Sequence, residues 1–453
     1  MTTFSRAGAL PRRGSALWLL RLEGVLLASV GFAVSAVPRA LPILLGLLAL
    51  VAAVHVLVVD RKRPLVLLRA PLGIALAVFI AYLFINSSWA TDRPAAIAKA
   101  GSVALMAVAA LLIAASVSLR EGADAGVLAR WTLAGLLLGI AFLLVELVFG
   151  EPIMRFLDNH VVHLFNASPK KAKVVNGEVT RVKDFVLNRN VTSLVMLLIP
   201  GMFFTSNLAT VRARRAFLGA LVVGALACVL LSQSGTSVVA LIVGGAVLAL
   251  AAFSLPATRY LLAAGWIVAT LLAVPLCSLP YALGWQHVTW LPPDSVVARF
   301  YIWRYTAEKV YERPITGIGI RNTRTIPTQV LTKKDNPFYT LRPGRHAHTV
   351  FLQIWLELGG IGALLFCVLG IAVLWQLQFW PSLVEAGAYG LFAAVAAIGL
   401  SGFDLWQTWL IASLALAWIA MLLAAAFPLL GKASASPPEV AGHAALEAAL
   451  PAL

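Results

Sequence analysis

Residues 40–59 read ALPILLGLLALVAAVHVLVV, and Asp60-Arg61-Lys62-Arg63 follows at once. About 20 mostly apolar residues are what a helix needs to cross the hydrocarbon layer. A basic cluster beside such a stretch marks the cytoplasmic side of a short loop. By the same rule the chain predicts about twelve spans, near 16–37, 40–59, 66–86, 98–118, 131–150, 190–208, 216–233, 235–253, 260–279, 349–375, 385–403 and 406–428. Composition agrees: 61% of the 453 residues are hydrophobic, only 12% are charged, and the mean hydropathy is +0.91. A soluble chain is roughly half apolar and a quarter charged. The expected fold class is an all-α polytopic membrane protein with the bilayer as its solvent. The first span carries Arg21 and Glu23, which do not share a helix face. No small-residue cleavage site follows it, so it is expected to stay as an anchor.

Lys and Arg in short loops set the orientation. Arg6, Arg12 and Arg13, the 60–63 cluster, Arg120 with Arg130, and Arg212, Arg214 and Arg215 all fall on one side when both termini are cytoplasmic. The expected organisation is spans one to nine within 1–279, with a first outer loop near 151–189. A large outer loop follows over 280–348, then three spans over 349–430 and a cytoplasmic tail over 431–453. Both outer loops are basic. The first holds Arg155, Lys170, Lys171, Lys173, Arg181, Lys183 and Arg189. The second holds Arg299, Arg304, Lys309, Arg313, Arg321, Arg324, Lys333, Lys334, Arg342 and Arg345. Long loops cross the membrane largely regardless of charge. The net charge of +16 therefore sits between membrane spans, where it meets lipid phosphates rather than nucleic acid. Cys228, Cys277 and Cys367 lie in or beside apolar spans, so no disulfide framework is expected. Few ionisable residues lie within spans, and no pair of broken spans repeats. Both features speak against a transporter.

The second outer loop is richest in chemistry. Phe300, Trp303, Ala307 and Val310 recur at helical spacing, with Arg304 and Glu308 paired at i,i+4. An interfacial amphipathic helix is expected there, its arginines either anchoring to phospholipid or serving a site. Pro314, Gly317 and Gly319 mark a turn with close backbone approach. Arg345-His346-Ala347-His348-Thr349 then opens span ten. Its histidines are compatible with zinc binding, general-base work or an interface position. Zinc wants a third ligand at a spacing that His160, His163 and His287 do not offer. A neutral imidazole suits deprotonation of a sugar hydroxyl, and neighbouring arginines would hold it neutral. Thr349, Gln353 and Glu357 form an i, i+4, i+8 stripe that should face the bundle. For Glu357 a hydrogen-bonded seam between helices is the favoured reading. Arg189, flanked by Asn188 and Asn190, opens span six and reads equally as a snorkelling anchor. Ser232, Ser234, Thr236 and Ser237 form a tight polar turn, and Trp89 marks an interface in the 86–93 loop.

Together these islands resemble the O-antigen ligase and polymerase superfamily. The resemblance rests on Ser88-Trp89-Ala90-Thr91-Asp92, the turn 232–236, Arg299 to Trp303, Pro314 to Gly319, and His348 through Leu352-Gln353 to Glu357-Leu358-Gly359 and Gly362. It covers roughly 85–365. The family's histidine is usually followed by Asn, here by Thr349, which leaves both His346 and His348 as candidates. The resemblance implies a C-type membrane glycosyltransferase fold with short helices in a long periplasmic loop. It implies transfer of O-antigen from undecaprenyl diphosphate to a sugar of the lipid A core, at the periplasmic face of the bacterial inner membrane. An O-antigen polymerase and a protein O-oligosaccharyltransferase share the pattern. It further implies His348 as base and Arg189 and Arg299 as catalytic cations. Arg304, Trp303, His346, Asn188, Gln353 and Ser234 are expected to bind substrate, with no metal or cofactor.

Overall fold

The computed structural model describes residues 14–161, 172–292, 296–326, 329–330, 340–341 and 346–427. Sixteen α-helices make up almost all of it: α1 Gly14–Ala36, α2 Leu41–Val59, α3 Arg63–Arg69, α4 Pro71–Ser87, α5 Arg93–Ser118, α6 Gly122–Val148, α7 Pro152–His160, α8 Asn188–Thr205, α9 Val211–Leu231, α10 Gly235–Phe253, α11 Leu255–Leu271, α12 Ala273–Ala282, α13 Ala298–Val310, α14 Val350–Leu377, α15 Ser382–Ser401 and α16 Thr408–Ala426. Between α7 and α8 lies an antiparallel hairpin, β1 Ala172–Val175 and β2 Glu178–Val182. Its turn is Asn176-Gly177, both at positive φ, a pairing suited to two-residue hairpins. A second antiparallel pair joins β3 Gln329–Val330 to β4 Thr340–Leu341.

Nine of the helices are long and apolar enough to cross a membrane, and two bent pairs raise that to eleven. The chain is an all-α polytopic membrane protein. The bent pairs are α3–α4, at 78°, and α11–α12, at 73°. Proline sits at both breaks. Ala70 is extended before Pro71, as a residue preceding proline prefers. Pro275, in the first turn of α12, has no N–H to continue α11. The remaining expected span, the sixth at 190–208, corresponds to α8. It falls outside the count because Asn188, Arg189, Asn190, Thr192 and Ser193 crowd its first turns. Tolerance of such polarity comes from position: α8 is buried nearly all round, against α1, α6, α9, α10, α15 and α16.

The basic clusters among the described residues gather at one end of the bundle, while Arg6, Arg12 and Arg13 lie outside the described residues. There Arg63 Nε donates to Ser118 Oγ at 2.9 Å, Arg120 pairs with Glu23, and Asn207 of the α8–α9 turn donates to Gly126 O. At the opposite end Asn190 Nδ2 donates to Ser35 O and Ala36 O, both at 2.9 Å. Lys99 Nζ there reaches Trp406 O at 2.9 Å, and Asp92 N reaches Asn322 Oδ1 at 3.1 Å.

One backbone interlock organises that opposite end. Helix α14 breaks at Gly359, whose φ is +68°. The turn 314–319 fills the break. Ile318 N donates to Leu356 O at 3.0 Å and Gly319 N to Glu357 O at 2.9 Å. In return Gly360 N donates to Pro314 O at 2.8 Å and Ile361 N to Ile315 O at 3.2 Å. From α4, Tyr82 Oη donates to Leu358 O at 2.7 Å, and Asn86 Nδ2 to Thr316 O at 2.9 Å. The backbones meet so closely that a Cβ on Gly317, also at φ +68°, would stand 2.4 Å from the Glu357 carbonyl. The close approach expected of this turn is thus made against span ten. Gly317→Ala should cost about 2–4 kcal/mol from left-handed strain plus overpacking. Gly265→Ala, which meets open space, should be neutral or slightly stabilising. Thermal melting of both variants in detergent tests the pair; equal melting points would overturn the interlock's importance.

Candidate functional site

His346 and His348 sit in the short connection that leads into α14. His348 takes a left-handed backbone, φ +58°, a conformation rare outside glycine. The loop is held by itself: His348 N donates to His346 Nδ1 at 3.1 Å, and the two rings lie 4.2 Å apart. Ala347, between them, is buried in a cluster with Val274, Ala307, Val310, Leu352 and Leu356. Trp303 packs against that cluster and brings α13 alongside the histidines. Burial pushes the His348 imidazole down to about 3, with further lowering by His346 and Arg299. His346 is also lowered by burial, opposed by Asp404 and assisted by Arg324 and Arg299. Arginine was the expected cause; desolvation outweighs it.

The polar stripe below the histidines is buried, and each member except Thr349 has a partner. Gln353 Nε2 donates to Asp404 Oδ1 at 2.8 Å, while its Oε1 accepts from Leu405 N at 3.3 Å. The Glu357 carboxylate accepts from Arg321 N at 2.9 Å, Thr323 N at 3.0 Å, Thr323 Oγ1 and the Trp406 indole. It is a structural seam, as favoured from the sequence. By pinning residues 321–323 it presents Arg324, whose Nη2 meets Asp404 Oδ2 at 3.2 Å. Asp404 is therefore the junction of the site. It binds Arg324, Gln353 and the Trp406 N–H together, and its charge acts on His346.

The other flank is built on α8. The Arg189 guanidinium lies 5.4 Å from the centre of the Trp409 ring, and Trp409 Nε1 donates to Gln407. Arg39 is close enough to repel it. Asn188 Nδ2 makes a long, 3.5 Å contact to Gln233 O. Ser234 Oγ shares a hydrogen bond with Ser237 at 2.7 Å, and Ser237 in turn with Thr192 at 3.0 Å, so Ser234 belongs to the seam joining α8 and α10. Residues 404–409 thus contact the histidine flank at one end and the Arg189 flank at the other.

Buried donors and acceptors almost always have partners. Among the described residues eleven buried side-chain atoms lack one, and five belong here: Asn188 Oδ1, Arg189 Nε, Arg299 Nε, Trp303 Nε1 and Thr349 Oγ1. Burial also pulls the Arg299 guanidinium below its usual range. Polar surface so withheld from water and from protein suits an anionic, hydrogen-bonding ligand.

Two comparisons bear on what that ligand is. Residues 192–367 match the family profile described as O-Antigen ligase. Over this segment the chain is similar to the O-antigen ligase family. A protein named "Putative polysaccharide ligase" from Rickettsia bellii is 30% identical over 199 residues, 43% of this chain and 47% of that protein. Similar proteins come from Rickettsia conorii, 29% identical over 189 residues (40% of this chain, 45% of that one), and Rickettsia prowazekii, 34% over 131 (28% and 32%). The matches thus span less than half the length of these curated relatives.

The ligase segment contains Ser234, Arg299, Trp303, Arg304, His346, His348 and Gln353 but ends before Asp404 and begins after Asn188 and Arg189. Arg304 does not join the cluster: it pairs with Glu308 at 2.8 Å on an exposed flank and stacks over Tyr281 at 4.3 Å. Arg345 and His163 lie outside the described residues. Asp404, Arg39, Gln407 and Trp409 were not singled out from the sequence. A lone acid between two apolar spans is costly enough to have flagged Asp404.

With the folded His348 held near 3 and the unfolded group near its ordinary 6.5, the unfolded chain takes up the proton first as pH falls. The resulting stability is complete above pH 6.5 and is lost as pH falls towards 3. Melting temperatures of wild type and His348→Gln, followed from pH 7 to 4, should converge; parallel curves would refute the shift.

Proposed function

We propose that this chain is an O-antigen ligase, transferring a glycan from undecaprenyl diphosphate to a sugar of the lipid A core at the periplasmic face of the inner membrane. The observation that carries this reading is a half-buried arginine, Arg299, whose buried Nε has no partner among the described residues and whose charge acts on a desolvated imidazole, His348. The donor's leaving group is a diphosphate, which gains negative charge as the glycosidic C–O bond lengthens. Fixed cations in a water-poor site stabilise that charge without reorganising. Arg299 and Arg189 supply them, and planar guanidinium groups suit phosphate oxygens.

His348 accepts the proton of the acceptor hydroxyl. The freed oxygen attacks the anomeric carbon from the face opposite the diphosphate. One C–O bond forms as the other breaks, its electron pair leaving with undecaprenyl diphosphate, and the configuration inverts. No glycosyl-enzyme intermediate is needed. His346 is the positioning residue, since its Nδ1 is already engaged by the His348 N–H. Trp303 and Gln353 line and brace the pocket, and Asp404 orients the Gln353 amide. Arginine charge does the work that a divalent ion does in other diphosphate-leaving-group transferases.

His348→Ala should lower transfer to lipid A core roughly 10²–10⁴-fold, as loss of a general base does, while the protein stays in the membrane. Arg299→Lys should fare little better than Arg299→Ala, since Lys cannot reproduce the bidentate contact. Both are measured with purified enzyme in proteoliposomes containing chelator, where wild-type activity should persist. Full activity of His348→Ala would refute the base assignment. In cells a null strain should accumulate polymerised glycan on its lipid carrier; unpolymerised units would instead identify a polymerase. In a cysteine-free background, a membrane-impermeant thiol reagent applied outside should modify a cysteine replacing exposed Arg313. A cysteine replacing exposed Lys62 should stay unlabelled; the reverse pattern would invert the topology.

A further inference from the structure

The hairpin between α7 and α8 has two unlike faces. Ala172, Val179 and Val182 are buried, packed with Met154 and Val186. Helix α7 fixes this side: Asn159 donates to Val179 O at 3.3 Å and accepts from Val179 N at 2.8 Å, and Arg155 Nη1 donates to Thr180 O at 3.1 Å. The other face is predominantly basic: Lys173 stands directly opposite Arg181 in the strand register, Lys183 follows two residues on, and Glu178 stands opposite Val175 beside the turn. Lys173, Arg181 and Lys183, with Phe185 and Gln233, line a cleft of 340 Å³.

The cleft adjoins the site. Gln233 is the residue whose carbonyl Asn188 contacts, and the chain runs from Lys183 through one 3-10 turn, Asp184–Val186, into α8 and Arg189. We propose that this cleft binds phosphate groups carried on the head saccharide of the acceptor glycolipid. The inference rests on the ligase reading above. In that reading Arg299 and Arg189 take the donor's diphosphate, so three further cations on the hairpin serve the second polyanionic substrate. Phe185, half-exposed at the rim, offers an apolar face for a sugar ring to pack on. Docked there by its phosphates, the acceptor is held beside the start of α8.

The test uses the triple variant K173Q/R181Q/K183Q in the full chain, with lipid A–core glycolipid as probe, either native or treated with phosphatase. Binding is read first without donor, by intrinsic fluorescence, in His348→Ala so that no turnover intervenes. Native glycolipid should bind the triple variant at least ten-fold more weakly, and phosphatase treatment should weaken binding to the unsubstituted hairpin by a similar factor. Combining both changes should add little more, because the two share one interaction. In turnover the acceptor KM should rise while kcat and the donor KM hold. A melting temperature matching the parent, or above it once like charges are removed, excludes misfolding.

Unchanged acceptor affinity in the triple variant would overturn the proposal. So would a loss that dephosphorylation does not reproduce. A loss that appears only in vesicles containing phosphatidylglycerol, and vanishes in phosphatidylcholine, would assign the cleft to bulk lipid head groups and also overturn it. Because the binding measurement needs no catalysis, failure of the ligase reading would show separately, as absent transfer by the wild type.

Discussion

The site depends on two glycines that let two backbones touch. Where α14 breaks at Gly359, the turn 314–319 supplies N–H and carbonyl groups that a continuous helix would have found within itself. Unpaired backbone groups buried in a membrane protein are costly, so the break persists because the turn repairs it. The repair orients the Glu357 carboxylate towards Arg321 and Thr323. It thereby sets Arg324, which meets Asp404, and Asp404 meets Gln353 one turn below the histidines. A chain of direct contacts thus runs from a pair of φ-positive glycines to Asp404 and Gln353, and the charge of Asp404 acts on the His346 imidazole.

Electrostatics explains why this rigid frame surrounds so much unused polarity. A protein normally pairs a buried guanidinium with a carboxylate, because desolvation of an isolated ion costs several kcal/mol even after relaxation. Here the buried member of the pair is the carboxylate: Asp404 meets the exposed Arg324. The Nε atoms of Arg299 and Arg189 have no acceptor among the described residues, and Arg189 feels the charge of a second cation, Arg39. Such an arrangement raises the energy of the empty site and lowers it when a doubly charged ligand arrives. Arg299 also disfavours protonation of His348, so in the proposed reaction the cation that holds the leaving group also keeps the base ready.

Much of the fold was legible because membrane spans announce themselves by length and apolarity. Each of the twelve stretches read from the sequence is helical in the structure. The exception in kind is α8, whose polar first turns and full burial make it an internal strut by composition. Hairpin β1–β2 was not foreseen, although Asn176-Gly177 between Val-rich runs is a local signal for it. At the site, the 345–349 segment, the Thr349–Gln353–Glu357 stripe and the 314–319 turn could be read because each is contiguous or periodic. Arg39 could not, since its meaning lies in neighbours distant along the chain, and Asp404 was legible only as a lone acid between apolar spans, not as the partner of Arg324 and Gln353. Arg304 shows the converse: helical spacing located its helix but not the face it occupies.

The loop between α15 and α16 has a consequence for biogenesis. Chains are made from the N-terminus, and domains consolidate in that order. Arg189, Arg299 and His348 therefore reach the membrane before the residues that brace them, since Asp404, Gln407 and Trp409 come from the final two helices. Until that last hairpin of helices docks, the half-inserted chain has its cations but no frame to aim them. Under the proposed ligase reading it is inert by construction, and a translation product stalled before α15 would leave the carrier lipid untouched.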